Sequence, residues 1–170
     1  WSLTPAKKLV RAVQDYDPLW VEDVIRKGDI EAYRRLGQAT EAPLCVSERL
    51  MGRYEFRQAL RTGAVDVVMP DLCWTGGLSE GRAIADLAEA EHLPIAPHNS
   101  GGPVLHAANA HLSTSIPNLY LMETIRDRYD GWHRNLVNEQ LSVTDGTLSV
   151  PDRPGLGVTY DESLLEDDRT

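Results

Sequence analysis

Residues 67–80 read VVMPDLCWTGGLSE. A short apolar run from Val67 to Met69 ends in Pro70 and Asp71, and the pair Gly76–Gly77 precedes a helical pattern over 79–91. A brief, continuous apolar run marks a strand buried on both faces. The same unit recurs on either side. Strands are expected over 19–23, 43–48, 65–71, 93–98 and 119–124, and helices over 28–38, 54–61, 79–91 and 104–112. An opening helix has Thr4 as its expected N-cap, Pro5 in its first turn, and Ala6, Leu9, Val10 and Val13 on one face. Strands alternating with helices predict a parallel sheet with helices outside it. The regular spacing favours a barrel over an open sheet, yet five units are too few to close one, because a (β/α)8 barrel takes about 250 residues. The expected fold class is therefore α/β, the C-terminal part of a TIM-like barrel over 1–125 that lacks the first strands. The chain begins with Trp1, not Met, and is expected to be part of a longer protein.

Beyond residue 125 the alternation stops. The segment DRYDGWHRN is polar and reads as a surface loop. Asp145–Gly146 between short β-like runs predicts a hairpin, and a Pro-Gly-rich tail follows it, so 126–170 is read as loop and tail.

Composition narrows the function classes. The net charge of -9 and the lack of a basic stripe argue against nucleic acid; Lys7, Lys8 and Arg11 read as a solvated helix face. No apolar run reaches membrane-spanning length. The start WSLTPAKKL lacks the apolar core of a signal peptide. Cys45 and Cys73 share no metal-ligand spacing, and a reducing cytoplasm is the expected location. Gly76–Gly77 and Gly101–Gly102 lack nucleotide-loop spacing and serve turns. His106 and His111 fall on an expected helix and read as structural; Trp132 and His133 fit either the site mouth or the surface.

The expected strands end at Glu22, Glu48, Asp71, His98 and Glu123, at steps of 23 to 27 residues. Each alone has a plain reading. Glu22 and Glu48 are ordinary strand-end acids, Asp71 caps the next turn, His98 bonds to backbone, and Glu123 pairs with Arg126. Together they would ring the C-terminal mouth of a barrel, where active sites lie. Clustered carboxylates repel and take up protons unless a cation joins them, and Mg2+ suits a few carboxylates plus water and substrate. Asp71 beside His98 would fix the imidazole tautomer and raise its basicity, as a general acid/base requires.

The fragments WVED, SERL, MPDLCWTGG, APHN, LMET and PDRPGLGV, in this order, resemble the enolase superfamily and within it the mandelate racemase subgroup. The resemblance covers Trp1 to about Val158. It implies a (β/α)7β barrel with an N-terminal capping domain, and removal of the proton α to a substrate carboxylate with the enediolate stabilised on Mg2+. It implies Glu22 and Glu48 as metal ligands, His98 as general acid/base, Asp71 as its partner and Glu123 as the electrophilic group. The first metal ligand and the second base would lie upstream of Trp1, and PDRPGLGV would return to the capping domain. The WxEEP motif reads WVEDVI here, with Asp23 and Val24 in place of Glu and Pro.

No lysine follows Asp71 where muconate-cycloisomerising relatives carry one; Trp74 stands near that place. APHNSGGPVLHAANAH resembles galactonate dehydratase-like members. The resemblance thus implies a dehydratase turning an aldonate into a 2-keto-3-deoxy acid, with the intact protein a homo-oligomer and a sugar acid its partner. A racemase, epimerase or cycloisomerase is the alternative within the superfamily. A barrel fragment that only binds is the alternative outside it, and an isolated 1–170 is expected to associate or fold poorly through its open sheet edge.

Overall fold

The computed structural model describes residues 1–165. Its frame is a parallel sheet in chain order. β1 (Val21–Glu22), β2 (Leu44–Val46) and β3 (Val67–Val68) are neighbours, and single bridges extend the sheet from Val68 to Ile95 and from Ile95 to Leu119. Order and direction match the sequence reading, but the strands are shorter. Proline is the reason: Pro43, Pro70, Pro94 and Pro97 lie in or beside these segments and have no N–H to give a neighbour. Their carbonyls still accept. Val21 donates to Pro43 at 2.7 Å, Val68 to Pro94 at 3.1 Å, His98 to Pro70 at 3.1 Å and Glu123 to Pro97 at 3.2 Å.

Side chains alternate between the two faces, as a pleat requires. Leu44, Val46, Val68 and Ile95 point into the larger core, with Phe56, Leu36, Ile84 and Leu112 from the helices. Cys45, Val67, Met69 and Ala96 form a second, smaller layer on the other face, flanked by Trp20 and Leu121. That layer is the inward face of a barrel wall and the floor beneath the strand ends.

The helices cover the outer face. α1 (Leu3–Val13) buries Ala6 and Val10. It starts one residue before Thr4, so Thr4 and Pro5 both sit in the first turn, where a missing N–H is harmless. α2 (Ile30–Gly37) is capped by Asp29, which accepts from the Ala32 N–H at 3.0 Å. α3 (Gly52–Leu60), α5 (Leu78–Ala90) and α6 (Pro103–Ser115) complete the layer. A short helix not expected from the sequence, α4 (Leu72–Thr75), directly follows Asp71. Gly76 (φ 117°) ends it and Gly77 (φ 89°) opens α5, both in left-handed backbone that favours glycine.

The segment read as a surface loop is instead α7 (Arg126–Asp130) followed by a 3-10 turn over Trp132–Leu136, which buries His133. The predicted hairpin forms from β4 (Val143–Thr144) and β5 (Thr147–Leu148). Asp145 (φ 49°) and Gly146 (φ 72°) supply the two positive φ angles that such a turn needs. The tail packs back on α6, where His111 Nε2 donates to the Leu156 carbonyl at 3.1 Å. Both cysteines are free, and among the described residues no helix is long and apolar enough to cross a membrane.

Candidate active site

Strand register explains how five residues far apart in sequence converge. Val46, Val68, Ile95 and Leu119 are paired across the sheet, and Glu22 pairs with Cys45, the residue before Val46. Glu48 stands two residues past this line, Asp71 and His98 three, and Glu123 four. An offset that rises across the sheet is what tilted barrel strands need to hold a ring of residues at one height. Parity does the rest. Glu22, Asp71, His98 and Glu123 each follow by two residues a member or neighbour of the inner layer: Trp20, Met69, Ala96 and Leu121. Glu48 breaks parity because β2 has already ended in a turn, closed by Leu50 N–H on the Ser47 carbonyl at 3.1 Å.

His98 is the centre. Its Nδ1 lies 2.7 Å from Asp71 Oδ2, and both side chains are buried. With Nδ1–H given to the carboxylate, Nε2 is the free nitrogen. It faces Glu123 Oε2 at 3.8 Å and Glu48 Oε2 at 3.9 Å. Burial alone would push the His98 pKa down. The Asp71 hydrogen bond and the charges of Glu123, Glu48 and Asp71 outweigh it, so the pKa stands above the usual imidazole value. Asp71 also caps α4, its Oδ1 accepting from the Cys73 N–H at 2.7 Å. The two roles weighed for Asp71 are thus both filled, one by each oxygen.

Glu123 does not pair with Arg126, which instead reaches Asp130 at 3.3 Å. Glu123 Oε2 accepts from the Asn99 backbone N–H at 2.9 Å. The buried Asn99 amide in turn donates to His106 Nδ1 at 2.8 Å and Thr124 Oγ1 at 3.3 Å. Burial lowers the His106 pKa, which keeps this ring neutral and accepting. His106 is therefore a prop behind Glu123.

Glu22 and Glu48 occupy the other side. Glu22 Oε2 accepts from the Trp20 indole N–H at 3.2 Å. Desolvation at the crowded strand end raises the Glu22 pKa against that bond, and repulsion from Glu48, Asp23 and Glu123 adds to the rise. Glu48 Oε2 is buried with no hydrogen-bond partner. Repelling carboxylates with an orphaned oxygen suit a hard divalent cation. Among the described residues no three His, Cys, Asp or Glu side chains form a ready ligand set. Two carboxylates are available, and Mg2+ commonly completes its shell with waters and substrate.

Trp74 flanks the dyad, its ring centroid 6.4 Å from that of His98. Trp132 is exposed, and its neighbour His133 lies 3.3 Å from Asp127. Sequence reasoning missed Trp20 and Asn99. Trp20 shares the parity of Glu22, and Asn99 directly follows His98; these were the available signals.

Residues 1–164 match the model of enolase C-terminal domain-like proteins. The chain belongs to that enolase family. Its similarity to curated proteins is spread over nearly all of it. D-xylonate dehydratase of Haloferax volcanii is 35% identical over 98% of this chain and 40% of the relative. D-galactonate dehydratase of Ralstonia nicotianae is 34% identical over 96% of this chain and 44% of the relative. The enolase-type chain therefore spans less than half the length of these relatives. A crystal structure of an enolase of the mandelate racemase subgroup from Agrobacterium tumefaciens superposes with a TM-score of 0.91 at 41% identity, covering 98% of this chain and 45% of that one. Membership of the enolase family accounts for the barrel-wall fold.

Proposed function

We propose that the whole protein dehydrates a sugar acid to its 2-keto-3-deoxy acid. The observation that carries this reading is the Asp71–His98 pair, whose free Nε2 faces Glu48 and Glu123. The naming of the relatives as sugar-acid dehydratases supports the substrate class.

Glu22 and Glu48 would hold Mg2+, together with a ligand from outside this chain. Bound there, the cation would supply positive charge to offset the negative charge developing on the substrate. Within this chain, His98 Nε2 accepts a proton when neutral and delivers one when charged. It thus serves either the α C–H or the departing β-hydroxyl, which leaves as water. Asp71 holds the ring in the tautomer that exposes Nε2 and stabilises the imidazolium. Glu123 would act as the electrophilic group beside the substrate carboxylate, where negative charge develops. Loss of water leaves an enol, and its tautomerisation gives the 2-keto-3-deoxy product. The sheet ends at Val21 and Leu119 among the described residues. These edges call for the remaining strands of the barrel, and we place the whole protein as a homo-oligomer in the cytoplasm.

A panel of sugar acids, assayed with the full-length protein for 2-keto acid, tests this. Product from one or a few aldonates, abolished by EDTA, is expected. No product from any acid, with α-proton exchange into D2O, would favour a racemase. Neither product nor exchange would leave a binding module.

A further inference from the structure

We infer that Asp23 and Ser47 are positioning residues that set the spacing of Glu22 and Glu48 and so tune their affinity for a divalent cation. The inference rests on the reading of those two glutamates as cation ligands. Asp23 directly follows Glu22, and Ser47 directly precedes Glu48. At the level of the site, β3 and its two successors stay joined by backbone, through His98 N–H on Pro70 and Glu123 N–H on Pro97. Between β1 and β2 the backbone ladder stops at Asp23 N–H on Cys45. A side chain continues it. Asp23 Oδ2 accepts from Ser47 Oγ–H at 2.6 Å, and Oδ1 accepts from Ser47 N–H at 3.3 Å and from Tyr33 O–H at 3.2 Å.

The surroundings show that the tie is built in. Ser47 is fully buried and Tyr33 nearly so. Arg49 Nε balances the charge from 3.8 Å. Asp23 adopts φ 44°, a left-handed conformation uncommon for a residue with a side chain. That turn brings its carboxylate onto Ser47. Groups that orient metal ligands from behind typically change affinity by about 10- to 100-fold when removed. The tie also explains how this chain accommodates Asp where the family motif has a second Glu: both oxygens are engaged by a neighbouring strand end and a helix.

The test uses the full-length protein and Mg2+ alone, by calorimetry, with Ser47→Ala, Tyr33→Phe and Asp23→Asn compared with wild type and with Glu48→Gln. Thermal melts confirm that each variant is folded. Ser47→Ala leaves every charge in place, so a change there reports the tie and not the field. The expected result is a Kd raised about tenfold or more in Ser47→Ala, with a smaller rise in Tyr33→Phe and turnover restored at saturating Mg2+. Folded Ser47→Ala and Tyr33→Phe variants that bind Mg2+ as wild type does would overturn the inference. So would a loss confined to Asp23→Asn, which would trace to charge. Absence of Mg2+ binding in wild type, or wild-type binding in Glu48→Gln, would instead overturn the cation reading and the inference with it.

Discussion

The two sides of the strand-end ring are built differently. On one side Asp71, His98 and Glu123 are held by short hydrogen bonds within the chain: 2.7 Å between Asp71 and His98, and 2.9 Å from Asn99 to Glu123. On the other side Glu22 has a single indole donor, and Glu48 leaves a buried oxygen without a partner. A proton-transfer group works best when preorganised, because its geometry must already suit the transition state. A metal ligand must keep lone pairs free for the ion. On the proposed roles, the contrast separates an acid–base half, tied by its own hydrogen bonds, from a half whose carboxylates would serve a cation.

The largest expected effect breaks the cation half. Glu22→Gln combined with Glu48→Gln in the full-length protein should abolish both Mg2+ binding, by calorimetry, and turnover. Retained Mg2+ affinity would show that these residues are not ligands. Next is Glu123→Leu. It should lower kcat by about 10²- to 10³-fold, as loss of a charge-stabilising donor does, while Mg2+ affinity stays near wild type. A parallel loss of Mg2+ binding would erase the proposed boundary between the halves.

A smaller effect sharpens the comparison through pH. In the metal-free protein the His98 pKa is raised above 6.5. Its stabilising contribution is then fully present below the unfolded value and is lost as pH rises through the folded value. The stability margin of wild type over His98→Gln, from denaturant melts in EDTA, should shrink as pH rises past 6.5. Asp71→Asn removes the carboxylate charge behind His98 Nδ1 and should pull the His98 titration downward in an NMR titration. An unchanged midpoint would detach Asp71 from the dyad.

Much of this contrast was legible from sequence, for a physical reason. The βα repeat fixes where strands end, and barrel geometry sends those ends to one mouth, so Glu22, Glu48, Asp71, His98 and Glu123 could be placed by spacing. Strand length was not legible, because Pro70, Pro94 and Pro97 keep carbonyl bonds yet interrupt the ladder. The helix at Leu72–Thr75 was hidden because Gly76 and Gly77 read as loop, although they are the hinge between two helices. The dual role of Asp71 was read as a choice, since nothing in a sequence assigns its two oxygens separately. The Asp23–Ser47 tie spans 24 residues and depends on a left-handed turn that composition does not encode. The helical turns after Ile125 are not legible in the sequence because a run of polar residues carries little periodic apolar signal.

The most direct test of the separation is to measure Mg2+ affinity and turnover together in full-length His98→Asn. Mg2+ binding close to wild type is expected, with turnover reduced by about 10²- to 10⁴-fold, the range a general acid/base contributes. Wild-type turnover, or loss of Mg2+ binding in a folded variant, would contradict that separation.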